Sequence, residues 1–232
     1  MDETVETDAA APRYIGAKTF HDAGGVDDWR GLFWGAHAHY VTASFADAVR
    51  LVDAIAEVVA EVGHEPDLDV RPHGVTIRTC SRPDGALSRK DVELAQAISR
   101  VAHELGYAAD PSQLVIVGIA VAQEPGKDVR PFWAAALGYA PLGEEDAIDP
   151  QRRGPHLWFH DIDPPRAGRG RTHIDVSVPA DHAQARVDAA LAAGGRLVRS
   201  DAPESWTIAS PDNHGIDIAA WPDFYPDGFP EG

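Results

Sequence analysis

The sequence predicts an α+β protein divided into two domains. Three observations lead there. Two amphipathic helical stripes flank a strand-like alternation in the first 110 residues. The second half repeats a strand–helix unit, because a shift of 57 residues lays Ile119 on Val176, Val121 on Val178 and Gly138 on Gly195. A chain of 232 residues with 44% hydrophobic content is also long enough for two packed cores, at roughly 100–200 residues per domain.

The elements follow in chain order. Residues 1–18 carry acids, alanines and a proline without periodicity and are expected to form a flexible tail. The first domain is placed at 19–110. Its first helix follows Ser44, a residue that suits the N-cap, and carries the stripe Phe45, Ala48, Val49, Val52, Ile55, Ala56 and Val59 up to Gly63. Between Val70 and Thr79 the pattern becomes a strand, with Val75 and Ile77 alternating against Thr76 and Arg78. A second helix opens at Ser88, with Asp91 in its first turn and the stripe Val92, Ala95, Ile98, Val101, Ala102 and Leu105, and Gly106 closes it. The polar link Tyr107–Gln113 marks the boundary, near Asp110. The second domain, 111–222, holds strand 114–121, helix 129–138, strand 172–178 and helix 182–195. The Pro/Gly-rich stretch Pro164–Arg171 reads as a solvated linker between the repeats. Residues 223–232 form a tail whose Phe224, Tyr225 and Phe229 are expected to dock on the domain or a neighbour.

Charge narrows the partners. The net charge is −17, and the two sides of Asp110 share it almost evenly: 10 basic and 19 acidic residues before the boundary, 10 and 18 after it. Neither half offers the clustered Lys and Arg that phosphate neutralisation demands, which argues against nucleic acid and against an anionic membrane surface. One cysteine, Cys80, excludes an internal disulfide and a thiolate zinc cluster, and on its predicted strand it reads as structural. The N-terminus has no apolar signal region, and no run approaches the roughly 18 apolar residues of a membrane span. A cytoplasmic protein acting on a small molecule is the expectation. No G-x-S-x-G, HExxH, GxGxxG or GxxxxGK[ST] pattern occurs.

The segments GHEPDLDV, HGVTIRT and LSRKDVELAQAIS carry a resemblance. Residues 20–107 resemble pterin-4a-carbinolamine dehydratase, which implies an antiparallel sheet with helices on one face. In that family two adjacent histidines precede a proline and a third follows the next strand. Dehydration of a 4a-carbinolamine needs an acid for the departing hydroxide and a base for the N5 proton, and histidine titrates in the right range. Here the resemblance maps the set onto His64, Glu65, Arg82 and Asp91, so only one of the three histidines is present. It leaves two readings: an attenuated lyase in which His64 and Glu65 share the proton work and Arg82 holds the pterin, or a relic pocket that now supports assembly or binds something else. The family also implies self-association, hence a homo-oligomer.

The repeat, with FWAAALGY near its start and R-x-H-I-D-V-S-V at its midpoint, resembles a glyoxalase-like domain of the vicinal oxygen chelate superfamily over about 114–221. That implies paired βαβββ modules around a cup. Metal-using members place ligands on the first and last strands of each module, which maps here onto Ile116, His160, His173 and Asp217. Ile116 breaks the set, and His160, His173 and Asp217 remain as metal ligands suited to Fe(II), Mn(II) or Zn(II). Strand alternation puts His156, Trp158 and His160 on one face, and His173, Asp175 and Ser177 on one face. His156, Trp158 and Asp175, with Trp133 and Trp206 as walls, are therefore candidate ligand-binding residues. His37, His39, His73, His103, His182 and His214 are expected at the surface or in loops. Three functions stay open: a pterin-directed lyase, a metal-dependent lyase, isomerase or dioxygenase in the cup, and a non-catalytic ligand-binding protein. The sequence fixes no cofactor.

Overall fold

The computed structural model describes residues 14–81, 85–126, 128–163, 172–209 and 215–220. Arg82, the 164–171 linker, His214 and the 223–232 tail lie outside the described residues. So do residues 1–13 of the N-terminal tail. The expected tail also included 14–18, but Ile15 pairs with Leu87 and is buried in the first core, so the domain begins several residues earlier than expected.

The first domain runs α1 (Ala17–His21), β1 (Arg30–Leu32), β2 (Gly35–Val41), α2 (Phe45–Val62), β3 (Asp67–Arg71), β4 (Gly74–Thr79) and α3 (Arg89–Glu104). The four strands pair antiparallel in the order β1-β2-β4-β3, and α2 and α3 pack on one face over Tyr40, Val75, Ile77, Leu51, Ile55, Leu94 and Ile98. The helix boundaries follow from local chemistry. Ser44 Oγ accepts from the Asp47 amide, and Gly63 takes the left-handed conformation at φ 66°, which spares a Cβ clash. Ser88 and Asp91 form a reciprocal capping box at the start of α3.

Two expectations about this domain need correction. The buried face of α2 is Ala48, Leu51, Ile55 and Val58, while Phe45 is 55% and Val49 39% exposed. Both chains of apolar residues satisfy helical spacing, and the sheet selects the one that meets Val75 and Ile77. In α3, Leu94 and Ala97 are buried and Leu105 lies exposed. The single strand expected over Val70–Thr79 is a hairpin, with β3 and β4 joined through Pro72 and His73, because proline cannot donate in a ladder.

After a short 3-10 turn at Pro111–Gln113, the second domain runs β5 (Ile116–Gln123), α4 (Arg130–Leu137), β6 (Ala140–Leu142), β7 (Asp146–Ile148), β8 (His156–Asp161), β9 (Thr172–Val178), α5 (Ala180–Ala192), β10 (Arg196–Asp201), β11 (Ser205–Ala209) and β12 (Gly215–Ala220). Its eight strands lie in the order β10-β11-β12-β9-β5-β8-β7-β6. Each half is a βαβββ module whose first and last strands pair in parallel, β5 with β8 and β9 with β12; antiparallel pairing of β5 with β9 joins the halves. The helices cover one face. Val121, Leu157 and Phe159 pack with Trp133 of α4, and Val176, Val178, Ile218 and Trp206 pack with Ala183 and Val187 of α5. Among the described residues no helix is long and apolar enough to cross a membrane.

Arg30 of β1 joins the domains through a forked ion pair with Asp181 of α5, the Nη2–Oδ2 distance being 2.6 Å.

Candidate functional site

In the first domain the chemistry gathers around Asp91. This carboxylate is 0% exposed and closes the capping box of α3 by accepting from the Ser88 amide at 2.7 Å. Thr79 at the end of β4 donates its hydroxyl to Oδ1 at 2.6 Å, and Ser81 donates to Oδ2 at 2.5 Å. His64, on the turn between α2 and β3, completes the set with Nε2 2.8 Å from Oδ1. Gly63 ends α2 and turns the chain so that His64 faces α3. Asp91 thus fixes the imidazole from one side. When Nε2 carries the proton that Asp91 accepts, Nδ1 is left as the basic nitrogen, and a protonated ring keeps a carboxylate partner.

Beside this pair lies a surface depression of about 730 Å³ lined by Ala56, Val59, Ala60, Gly63, His64 and Glu65. Glu65 is exposed at its rim. The structure therefore brings together His64, Glu65 and Asp91; Arg82 lies outside the described residues. Thr79, Ser81 and Ser88 are supporting residues that the sequence did not single out. The Ser88-x-x-Asp91 spacing carried part of that signal, since the cap and the histidine share one carboxylate.

In the second domain the face away from the helices carries His156, Trp158 and His160 of β8, Gly118, Ala120 and Ala122 of β5, Asp175 and Ser177 of β9, and Asp217 of β12. Register sets them in rows: Gly118 pairs with His156 on one side and Asp175 on the other, and Asp175 pairs with Asp217. Trp158 Nε1 donates to Asp175, and Trp158 stacks on His160 with centroids 4.5 Å apart. The His156 ring lies across the sheet over Gly118, where a Cβ would overlap it. Burial pushes the His156 imidazole down to about 4, with Arg152 adding to the fall and Asp175 opposing it.

One expectation fails on this face. Trp133 and Trp206 pack in the two helix-side cores, so neither walls the cup: both sit on the opposite side of the sheet from Trp158. The residues offered as metal ligands lie on three strands, His160 on β8, His173 on β9 and Asp217 on β12. His160 pairs with Ala122, whereas Asp217 reaches β5 only through Asp175 and Gly118. His173 pairs with Ala120, two residues from either row, and its side chain lies outside the described residues. Among the described residues no three His, Cys, Asp or Glu groups gather as a metal site. Two imidazoles and a carboxylate are donor types that suit Fe(II), Mn(II) or Zn(II).

The histidines without an assigned role also need correction. His37 is buried in β2 and donates from Nε2 to the Phe33 carbonyl oxygen over 3.1 Å, and burial with the nearby Arg78 charge pushes it down to about 4. Because Phe33 O is an acceptor, His37 Nε2 is the protonated nitrogen. His39 is half-buried against Thr76, whereas His103 lies exposed as expected and pairs with Asp28 at 3.0 Å. The Cys80 thiol is partly buried, which pushes it up and away from thiolate reactivity.

Comparisons with known proteins agree with this division. Residues 18–101 match the family model for pterin 4 alpha carbinolamine dehydratase, and residues 119–219 match that of a glyoxalase-like domain. A protein of Nocardia farcinica named "Putative pterin-4-alpha-carbinolamine dehydratase" is 39% identical over 59 residues, 25% of this chain and 62% of that protein. Proteins of the same name from Herpetosiphon aurantiacus and Mycolicibacterium smegmatis are 37% identical over 62 residues and 34% over 58, covering 27% and 25% of this chain and 65% and 62% of theirs. The matched segment therefore spans less than two thirds of those relatives' length. The chain is a two-domain protein that joins a pterin-dehydratase-like domain to a glyoxalase-like domain.

Proposed function

We propose that the first domain is a lyase that dehydrates a 4a-hydroxytetrahydropterin, working with a reduced acid–base set. The observation that carries this reading is the His64–Asp91 hydrogen bond at the edge of the depression that Glu65 also lines. In the reaction the C4a–O bond breaks, hydroxide leaves as water after taking a proton, and N5 gives up its proton, leaving the quinonoid dihydropterin. His64, held by Asp91 through Nε2, takes the N5 proton at Nδ1, and Glu65 in its acid form delivers the proton to the departing oxygen. Arg82 is proposed to hold the pterin carbonyl. A general acid or base of this kind contributes about 10²–10⁴-fold, so one histidine in place of three predicts a slow enzyme rather than an inert one. No step of this reaction runs through a metal.

The test is the decay of chemically generated 4a-hydroxytetrahydropterin in the presence of the full chain. Decay faster than in buffer, lost in His64→Ala and slowed in Glu65→Gln, is the expected result. A rate equal to buffer across pH 6–8 would sink the proposal.

A further inference from the structure

Among the described residues only two that are not glycine adopt a positive φ, Trp34 at 70° and Arg152 at 55°. They belong to different domains and touch: the Arg152 guanidinium carbon lies 5.6 Å from the Trp34 ring centroid. Bulky residues avoid this conformation, and strain of that kind persists only where the surroundings enforce it. The surroundings here do. Arg78 Nη1 donates to the Trp34 carbonyl at 2.7 Å while the same guanidinium pairs with Asp67. Gly85 leaves open the space where a Cβ would overlap the Trp34 backbone. On the other domain, Gly118 makes room for the His156 ring, which meets Trp34 and Phe33 with centroids 5.0 and 4.7 Å away.

Both sides of the junction are thus shaped, yet two buried polar atoms that meet there have no hydrogen-bond partner: Trp34 Nε1 and His156 Nδ1. His156 is only 6% exposed. Leaving such an atom unpaired is costly, and two from separate domains at one point form a pair of donors placed to serve one acceptor group. An indole N–H can only donate. A neutral imidazole donates from Nδ1 in one of its two tautomers. Beside them stands a guanidinium. Two neutral donors and one positive charge match a group with two acceptor oxygens and a single negative charge. A dianionic phosphate would ask for more donors than these.

We infer that the domain junction binds the carboxylate group of a small metabolite, with Trp34 and His156 donating to its oxygens and Arg152 supplying the opposite charge. The site is composite, since neither domain holds it alone. It is also separate from the His64 depression.

The experiment uses the full chain with benzoate, acetate and inorganic phosphate as probes, each compared with sodium chloride at equal ionic strength. Melting temperature and titration calorimetry are the readouts. At least one carboxylate raises the melting temperature and binds with a Kd that weakens tenfold or more in Trp34→Phe and in Arg152→Gln; phosphate does neither. Trp34→Phe keeps an aromatic ring while removing the N–H together with the five-membered ring, and its circular dichroism and parent-like melting temperature without ligand check that the fold is intact. Carboxylates no better than chloride, phosphate as good as carboxylate, or binding unchanged in Trp34→Phe would each overturn the inference. So would a crystal grown in benzoate that shows only a water between Trp34 Nε1 and His156 Nδ1. Carboxylate binding by His64→Ala is expected to match the parent, which keeps this outcome distinguishable from failure of the lyase reading.

Discussion

The two domains treat their central histidine in opposite ways. His64 sits at the edge of a depression and is tied to a carboxylate that four other donors already surround. His156 is more deeply buried, crosses the sheet over a glycine, and leaves one ring nitrogen without a partner. The first arrangement accommodates either protonation state, because Asp91 accepts from a neutral ring and attracts a charged one. The second penalises the charged ring and makes His156 a neutral hydrogen-bonding group. On the two proposed readings, proton transfer belongs with the first and recognition with the second.

The largest expected effect tests the first half of that contrast. Asp91→Ala removes the acceptor for His64, Thr79, Ser81 and the Ser88 amide at once and opens the helix cap, at a cost of about 3–5 kcal/mol. His64→Gln, which takes away a single donor at the surface end, is expected to cost about 1 kcal/mol or less while abolishing dehydration. Urea unfolding of both variants decides it. Equal losses would mean that the carboxylate serves the histidine alone.

Acid titration tests the second half. His37 and His156 are held at about 4 in the folded protein against 6.5 when exposed. Between those values the unfolded chain binds more protons, so stability falls as pH drops through the window, by about 3 kcal/mol at most for each histidine. Asp146 works against this. Burial and neighbouring Glu145 push it up to about 6 from 3.8, so across that range the folded chain holds the extra proton and acid favours the fold. Two histidines outweigh one carboxyl, and a net loss between pH 6.5 and 4 is expected. In His37→Gln/His156→Gln the slope should vanish or reverse, as read from urea midpoints at pH 4.5 and 7. A parent protein whose stability stays flat over that range would remove the distinction between the two histidines.

Gly118→Ala probes the contrast at one point. A methyl there displaces the His156 ring, with an expected cost of about 1–3 kcal/mol. Adding His156→Ala should recover part of that loss. Simple additivity in the double variant would mean the ring does not depend on the gap above Gly118.

Local signals made the frame readable before the structure. Ser44, Gly63, Ser88 and Asp91 announce their helix ends because caps satisfy backbone groups a few residues away. The 57-residue shift preserves which face each residue occupies, so Gly118 maps onto Asp175 and His160 onto Asp217 with sides intact. What escaped reading depends on partners distant in sequence. The stripe on α2 was ambiguous until β4 chose Leu51 and Val58 over Val49 and Phe45. Gly-Leu-Phe-Trp-Gly-Ala-His-Ala-His hid β1 and β2, since small residues and histidines blur the alternation of a strand. Matching positions in a repeat located His160 and Asp217 on the last strands of their modules and on one face of the sheet, because the pairing of first and last strands is the same in both halves. Trp34 facing His156 has no local signature at all.

One side chain in the first domain has two employers. Asp91 starts a helix of 16 residues and also grips the imidazole. A relative that lost every role of His64 would still be obliged to keep the aspartate, since losing it would unravel the beginning of α3. His64 has no such second duty. In comparing fusions of this type, the aspartate therefore reports on folding, while on the proposed reading His64 is the residue that reports on chemistry.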